Sequence, residues 1–541
     1  MLKGVRLIYA IFSGVLMSLP WNQNFSGLFI LLALVPLLLI EDHACASSIK
    51  KSSAQVFIYA SLTFFIWNVL STWWIADASI AGAITAITVN TFLFSLIFWL
   101  FHITHKTLGS AIGYSSLIVY WTAFEYYYLN AEISWPWLNI GNAFANSYLL
   151  VQWYEYTGTL GGTVWALLLN VFFFLFLKIL FSRNKAEINR YLTVCLMLIM
   201  FPAGSSIFLY YTYVEAVNTC RVALIQPNFN SYNRHITARQ KCSALIQLAD
   251  SISDDSTDYI VAPEALLEGN LCESTVDKNF SIITLRNFIN SQKQATLILG
   301  ALTYRNFTPK ETKPGKTNLI SSKVINYDCY NSALQIDKSD TIQFYHKSKL
   351  VVGIEKMPYP NALKFLQNLM EKLGGSFESY GIQANRGVFI SPNHKARVAP
   401  VICYESIYGE FVTGYIKNGA NIIFIITNDG WWGNTPGYMQ HLSYARLRAI
   451  ETRRSIARSA STGISAFINQ RGDIVASTQW NERTSIKGSV NLNEEKTFYV
   501  KHGDYIGKIS FILSFIFLAI TIITYFFHSN RNKTFGIHAT L

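Results

Sequence analysis

The chain has 541 residues, of which 51% are hydrophobic, 15% aromatic and only 14% charged. Soluble proteins usually carry about 25% charged residues, so this composition excludes a wholly soluble protein. The 44 Lys and Arg residues outnumber the 32 Asp and Glu residues. Because the charge-poor segments are rich in aromatic residues, this excess favours a membrane protein with basic residues beside its spans, and we expect no nucleic-acid partner.

Eight apolar stretches approach the roughly 20 residues that a helix needs to cross a bilayer. They lie at about 5–21, 25–40, 56–76, 84–104, 111–130, 160–181, 191–213 and 505–527. The first lacks a small-residue cleavage site and is followed by further spans, so we expect it to be retained. The sequence therefore predicts an N-terminal α-helical membrane domain at 1–213, a C-terminal transmembrane helix at 505–527 and a cytoplasmic tail at 528–541.

Basic residues predict the orientation of these spans. With the N-terminus placed in the cytoplasm, the predicted outer loops at 77–83 and 131–159 contain no Lys or Arg. The inner segments contain Lys3, Arg6, Lys50, Lys51, Lys106, Arg183, Lys185, Arg190, Arg531 and Lys533. This positive-inside asymmetry places residues 214–504 on the outer side of the membrane.

The predicted outer loop at 134–142, SWPWLNIGN, is rich in tryptophan. Tryptophan is enriched where membrane meets water, so we expect this segment to lie in the interface. Two roles remain open for it, a structural anchor and a lipid-binding lid.

Residues 221–497 differ in character from the rest of the chain. Short β-rich runs such as RVALIQPN, DYIVAPEAL and NIIFIITNDG alternate with helical patterns such as YMQHLSYARLRAIETRR. This alternation predicts an extracytoplasmic α/β domain between two membrane anchors. Residues 350–390 have no recognisable strand partner, and their apolar residues fit either a flap against lipid or an ordinary packed helix.

The seven cysteines form no C-x-x-C pair and have no histidine spacing typical of zinc, so we expect no metal site and no cofactor. They are Cys45, Cys195, Cys220, Cys242, Cys272, Cys329 and Cys403. Their spacing leaves the question of disulfides open.

Cys403 follows the apolar run VAPVI and precedes a helical pattern that ends at Gly419. A cysteine at such a strand-to-helix turn points toward the positive end of the helix, which favours the thiolate. The sequence therefore predicts a nucleophile at this position. The alternative is a buried cysteine that only fills the core.

Two further motifs carry groups that a thiol nucleophile needs. Glu264, in VAPEALLEG, follows a predicted strand, and Lys347, in YHKSKL, precedes Glu355 by eight residues. A carboxylate can accept the thiol proton, and an ammonium group can stabilise the oxyanion that forms when the thiolate attacks a carbonyl. Glu355 would hold Lys347 charged and in place.

VAPEALLEG, YHKSKL and VICYES resemble the Glu, Lys and Cys motifs of the nitrilase (carbon-nitrogen hydrolase) superfamily. TNDGWWG and the following QHLSYARLRAIETRR resemble its C-terminal motif region. The arrangement of seven predicted spans before such a domain and one after it resembles that of the apolipoprotein N-acyltransferase branch of this superfamily. The resemblance implies a nitrilase-like αββα sandwich that transfers an acyl chain from a phospholipid, through a cysteine thioester, to the amino group of a diacylglyceryl-cysteine apolipoprotein.

The resemblance also implies roles for individual residues. Glu264 is expected to be the general base, Lys347 the oxyanion stabiliser and Cys403 the nucleophile. Residues that support these groups or line the substrate site are expected at Glu355, Tyr404, Glu405, Trp431 and Asn331. A periplasmic catalytic domain on the bacterial inner membrane follows from the same resemblance.

Two other functions remain open at this point. A membrane-tethered amidase or nitrilase would use water as the acceptor. A transporter or scaffold would carry ionisable residues along its spans, where the acidic candidates are chiefly Glu125 and Glu155.

Overall fold

The computed structural model describes residues 2–46, 52–180, 184–232, 235–306, 318–320, 323–325, 327–359, 379–391 and 396–538. The chain divides into two compact units. The first comprises Met1–Ala76, Ile80–Tyr211 and His502–Leu541, and the second comprises Asp77–Ser79 and Thr212–Lys501. The predicted catalytic domain, residues 221–497, falls within the second unit. Much of the predicted flap, residues 360–378, lies outside the described residues.

The N-terminal part of the first unit is helical. Its helices are α1 (Lys3–Ser18), α2 (Val35–Cys45), α3 (Ser52–Thr72), α4 (Ile75–Ala78), α5 (Ile80–Leu108), α6 (Ser110–Asn130), α7 (Tyr154–Leu180) and α8 (Lys185–Thr212). Seven described segments are long and apolar enough to cross a membrane: Lys3–Trp21, Gly27–Cys45, Ser52–Thr72, Ile80–Leu108, Tyr154–Leu180, Lys185–Thr212 and Tyr505–Phe527. The predicted span at 111–130 forms helix α6, which is not among them because Glu125, Asn130 and several tyrosines lower its hydropathy.

The tryptophan-rich segment at 134–142 is packed inside the first unit. Trp137 is fully buried and stacks on Trp135 with ring centroids 5.3 Å apart. The Glu125 carboxylate accepts hydrogen bonds from the Ile140 N–H (2.7 Å) and the Thr163 hydroxyl (2.6 Å), so it joins this segment to α6 and α7. The surrounding helices bury the apolar residues of this segment, so they belong to the core of the first unit, and its position at the membrane interface stays a prediction.

The second unit contains two stacked sheets and a separate two-stranded sheet of its fifth and sixth strands. Its strands are β1 (Asn218–Gln226), β2 (Tyr259–Val261), β3 (Leu267–Cys272), β4 (Thr296–Asn306), β5 (Asn318–Ile320), β6 (Lys323–Ile325), β7 (Tyr327–Ile336), β8 (Gln343–His346), β9 (Phe389–Ile390), β10 (Arg397–Ile402), β11 (Ile422–Thr427), β12 (Ile456–Ala460), β13 (Ala466–Ile468), β14 (Ile474–Ser477) and β15 (Thr484–Leu492). One sheet has the order β15-β1-β2-β4-β7-β8, with β3 beside β4, and the other has the order β14-β13-β12-β11-β10-β9.

Helices cover the outer face of each sheet. They are α9 (Ala238–Asp250), α10 (Phe280–Ser291), α11 (Gly409–Lys417), α12 (Pro436–Thr452) and α13 (Phe498–His502). Strand β1 shows the layering, because Val222 and Leu224 pack into the core between the sheets, whereas Ala223 and Ile225 pack with residues of α9 and α10. Residues of α11 and α12 pack on the second sheet. These four layers form the αββα sandwich that the sequence predicts.

The chain ends in α14 (Tyr505–His538), which packs against α6 in the first unit. The helix extends beyond the predicted span to His538. Most of the segment predicted as a tail is therefore a continuation of the helix.

Candidate active site

Three predicted site residues follow strand ends. Glu264 lies three residues after β2, and Lys347 and Cys403 come directly after β8 and β10. Since β8 and β2 belong to one sheet and β10 to the other, the sandwich brings the three segments together. Glu264 and Lys347 are in contact, and their charges act on the Cys403 thiol.

A close backbone approach fixes Glu264. The Gly300 N–H donates to the Pro263 carbonyl oxygen (3.0 Å), and a Cβ at position 300 would lie only 2.4 Å from the Glu264 Cα. Atoms that close would clash, so glycine at position 300 allows β4 to hold the turn after β2. The Glu264 side chain is 7% exposed.

Lys347 is held between two carboxylates. Its Nζ donates to Oε1 of Glu264 and to Oε1 of Glu355, both at 2.9 Å. Asn331 Nδ2 donates to the same two oxygens, at 2.8 and 3.0 Å. Burial alone would lower the pKa of Lys347, but attraction to Glu264 and Glu355 raises it well above its ordinary value. Lys347 is therefore a permanent buried cation.

Cys403 occupies a strained turn. Its φ is +49°, in the left-handed region, and it begins a 3₁₀ turn, Cys403–Ile407, between β10 and α11. Burial and the charge of Glu264 raise the pKa of the Cys403 thiol, and this effect exceeds the opposite effect of Lys347. The expectation of a favoured thiolate is therefore wrong for the resting site, which holds a thiol that needs a base.

Glu405 joins the lysine segment to the cysteine turn. Its fully buried carboxylate accepts hydrogen bonds from the Ser348 N–H (2.7 Å) and from the Ile402 N–H (2.9 Å). Burial raises the pKa of Glu405. Because one carboxylate holds the residue after Lys347 and the residue before Cys403, it fixes the ammonium relative to the thiol.

A buried polar network behind Cys403 escaped the sequence analysis. His441 Nε2 donates to the Cys403 carbonyl oxygen (3.2 Å), and Nδ1 lies 3.0 Å from Asp429 Oδ1. Arg458 Nη2 donates to Asp429 Oδ2 at 2.8 Å. Burial acts to raise the pKa of Asp429, but Arg458 and His441 bring it down to about 2. The network therefore anchors the carbonyl of the strained residue.

The two aromatic candidates differ in exposure. Trp431 is 43% exposed and meets the Tyr232 ring edge-on, with centroids 5.2 Å apart. Tyr404 is only 3% exposed and packs edge-on against Tyr408. Trp431 can therefore offer a surface to a ligand without rearrangement, whereas Tyr404 mainly supports the turn.

The site combines a thiol, a carboxylate and a buried ammonium at the strand ends of an αββα sandwich. This set defines a class of cysteine enzymes that handle acyl groups through a covalent intermediate. The family model described as carbon-nitrogen hydrolase matches residues 221–498, which is more than half of the chain, and the chain belongs to that family. A second model, the apolipoprotein N-acyltransferase N-terminal domain, matches residues 13–172.

Relatives resemble the chain over most of its length. The apolipoprotein N-acyltransferase of Chlorobaculum tepidum is 27% identical, over 88% of this chain and 89% of the relative. The enzyme of the same name from Thermotoga maritima is 24% identical, over 98% and 96%. A solved amidase from Nesterenkonia is 15% identical with a TM-score of 0.35, covering 54% of this chain and 95% of the amidase. The resemblance predicted from the motifs is thus confirmed.

Proposed function

We propose that the protein is an acyltransferase that moves an acyl chain from a membrane phospholipid to the free α-amino group of an S-diacylglyceryl cysteine at the N-terminus of an apolipoprotein. The observation that carries the proposal is the buried Glu264–Lys347 pair beside the Cys403 thiol, in a chain with seven membrane-capable segments. A hydrolase of soluble substrates has no need of such segments. An enzyme whose donor and acceptor are both lipids must receive them from the bilayer.

In the first half-reaction, Glu264 takes the Cys403 proton and the sulfur attacks the ester carbonyl of the phospholipid. Lys347 stabilises the tetrahedral oxyanion. The carbon–oxygen ester bond then breaks, and Glu264 returns the proton to the leaving oxygen. A thioester on Cys403 and a lysophospholipid result.

In the second half-reaction, the α-amino group of the apolipoprotein attacks the thioester carbonyl. Glu264 takes a proton from the attacking nitrogen, and the carbon–sulfur bond breaks to leave an amide. The sulfur regains the proton from Glu264. One carboxylate thus serves both steps, and the burial of the site limits loss of the thioester to water.

The proposed location is the bacterial inner membrane, with the catalytic domain on the periplasmic side. The support is the distribution of Lys and Arg among the predicted loops. An apolipoprotein N-terminus and a bilayer phospholipid would both be accessible from that side.

Incubation of the purified protein with an acyl-labelled phospholipid tests the proposal. We expect label on the protein that hydroxylamine removes, and its transfer to an amide when a diacylglyceryl-cysteine peptide is added. Cys403→Ala should retain no label. Cys220→Ala is the matched control, because Cys220 is a buried cysteine of β1, and it should be labelled like the wild type.

Release of free fatty acid without acceptor, at the rate of peptide acylation, would favour an amidase-like hydrolase instead. Equal labelling of Cys403→Ala and wild type would remove the thioester mechanism.

A further inference from the structure

A second group of reactive side chains lies in the first unit, between α2 and α5. Helix α2 contributes Glu41 and Cys45, four residues apart, and α5 contributes His102 and His105, three residues apart. These spacings place each pair on one face of its helix. The proposed acyl transfer uses none of these groups.

The four side chains converge on one buried point. His105 Nδ1 lies 3.0 Å from both carboxylate oxygens of Glu41, and His102 Nδ1 lies 2.7 Å from Oε1. Donor atoms of Glu41, Cys45 and His105 all lie within 4.8 Å of one another. Glu41 and His102 are fully buried, His105 is 4% exposed, and Cys45 is partly buried.

We propose that Glu41, Cys45 and His105 bind a divalent first-row transition metal, with zinc as the expected ion. Carboxylate, thiolate and imidazole are the ligand types that zinc takes in proteins. Zinc bonds of about 2.0–2.3 Å put tetrahedral ligand atoms roughly 3.3–3.8 Å apart, so small side-chain rotations bring the three donors to that spacing.

Charge balance supports the assignment. A carboxylate and a thiolate carry two negative charges, which a divalent cation neutralises in full. A buried ionised group without a counter-charge is costly in a membrane unit. A bound divalent ion would balance both charges once Cys45 gives up its proton to become a ligand.

The surrounding hydrogen bonds fit metal ligands. Ligating groups in proteins are usually held by outer partners, which fix their orientation. His102 provides such a partner for Glu41, and the Ser110 hydroxyl lies 3.3 Å from His105 Nε2. Buried His102 Nε2 has no hydrogen-bond partner among the described residues. Three protein ligands also leave a fourth position for water.

A metal-free cluster is the competing explanation. The two histidines alone could neutralise Glu41 by hydrogen bonding, which accounts for three of the four side chains. In that arrangement Cys45 would only hydrogen-bond with His105, whereas a metal ion would use its sulfur as a ligand beside Glu41 and His105. The proposal departs from the expectation of no metal, because the three ligands come from two helices that sequence spacing alone does not pair.

Metal analysis of the full-length protein in detergent tests the site. We expect one zinc ion per chain after growth with zinc, and loss of that ion in Cys45→Ala. Cys195→Ala, at a buried cysteine of α8, should keep the metal and serves as the matched control. After chelation, Co²⁺ alone should give a thiolate-to-cobalt absorption band in wild type and in Cys195→Ala, and none in Cys45→Ser.

Equal metal content in wild type and Cys45→Ala would show adventitious metal only and overturn the proposal. The same conclusion follows if folded wild-type protein binds neither zinc nor Co²⁺. Because Cys45→Ser is a conservative change, loss of the cobalt band in a protein that still melts cooperatively supports ligation. Loss of cooperative melting in Cys45→Ser that Co²⁺ fails to restore counts against it.

Discussion

At the scale of single residues, the sharing of Lys347 between two carboxylates determines the state of Cys403. Glu264, Lys347 and Glu355 together carry one net negative charge, because two carboxylates share one ammonium group. The positive charge of Lys347 is therefore already balanced before the thiol loses its proton. A thiolate would add a second net negative charge to this buried space, which is disfavoured. In the proposed mechanism, the thiol therefore ionises only as its proton passes to Glu264 during attack.

This arrangement predicts opposite effects of Glu264→Gln on two reactions of the same sulfur. Acyl transfer should fall by about 10²–10⁴-fold, because the general base is lost. Removal of the negative charge should lower the pKa of Cys403, so iodoacetamide labelling should shift to lower pH. Each unit of pKa corresponds to roughly tenfold more thiolate at a given pH. Mass spectrometry of the Cys403 peptide across pH measures the shift.

Glu268→Gln is the control, because Glu268 is exposed and lies four residues farther along the chain. It should leave labelling and acyl transfer unchanged. If iodoacetamide labelling of Cys403 in Glu264→Gln shifts to higher pH, this account of the thiol is contradicted.

At the scale of elements, the contact between β4 and the turn after β2 depends on one glycine. In Gly300→Ala the added Cβ would meet the Glu264 Cα at 2.4 Å, so the backbone must move. We expect a loss of stability of about 1–3 kcal/mol and slower thioester formation. Thermal unfolding and single-turnover acylation measure the two effects.

Gly204→Ala in α8 provides a comparison, because nothing lies within 4 Å of its added Cβ. This variant should keep the thermal stability and the single-turnover acylation rate of the wild type. Normal single-turnover acylation in Gly300→Ala would show that the position of Glu264 tolerates the shift.

The network between α12 and the second sheet carries a prediction about acid stability. Asp429→Asn leaves Arg458 buried without its counter-charge, which costs about 3–5 kcal/mol. Because the pKa of Asp429 is lowered from 3.8 to about 2 in the folded protein, its contribution is present above pH 3.8 and is lost as pH falls toward 2. The difference in Tm between wild type and variant should therefore narrow across that range.

Asp255→Asn is the control, at an exposed carboxylate paired with Lys293 at 3.4 Å. It should change Tm little at any pH, since exposed ion pairs contribute about 0–1 kcal/mol. A Tm difference between wild type and Asp429→Asn that stays constant from pH 4 to 2 would contradict the assigned role of Asp429.

At the scale of the whole molecule, the proposed orientation in the membrane can be tested by labelling introduced cysteines. Glu482→Cys in the second unit and Lys185→Cys at the start of α8 both alter exposed residues. In spheroplasts, a membrane-impermeant maleimide should label Glu482→Cys before permeabilisation and Lys185→Cys only afterwards, each compared with the background of native cysteines. The reverse pattern would place the catalytic domain in the cytoplasm.

The architecture was predictable because composition and periodicity are local properties. Apolar stretches located the membrane-capable helices, and short β-rich runs located β1, β2, β10 and β11. Glu264 and Cys403 could be found for the same reason, since each follows a strand that is predictable from the sequence, and Lys347 was found through its motif, YHKSKL. Their catalytic roles stay predictions, whereas the family resemblance is confirmed.

Features that depend on packing between distant segments were not predictable. Asp429, His441 and Arg458 each resemble an ordinary polar residue, and only the fold brings them behind Cys403. Trp137 looked like an interface residue because its burial depends on helices elsewhere in the chain. The thiol at Cys403 was misjudged because burial and the Glu264 carboxylate raise its pKa more than Lys347 lowers it, and because a 3₁₀ turn separates it from α11.

The positive φ of Cys403 lowers the stability of the folded protein. A side chain in that conformation costs the folded state on the order of 1–3 kcal/mol, a cost that glycine would largely avoid. The proposed catalysis requires a sulfur where the backbone would prefer no side chain at all. We therefore expect a Cys403→Gly variant to be inactive but more stable than the wild type. At this residue, the backbone conformation that suits the proposed activity lowers folding stability.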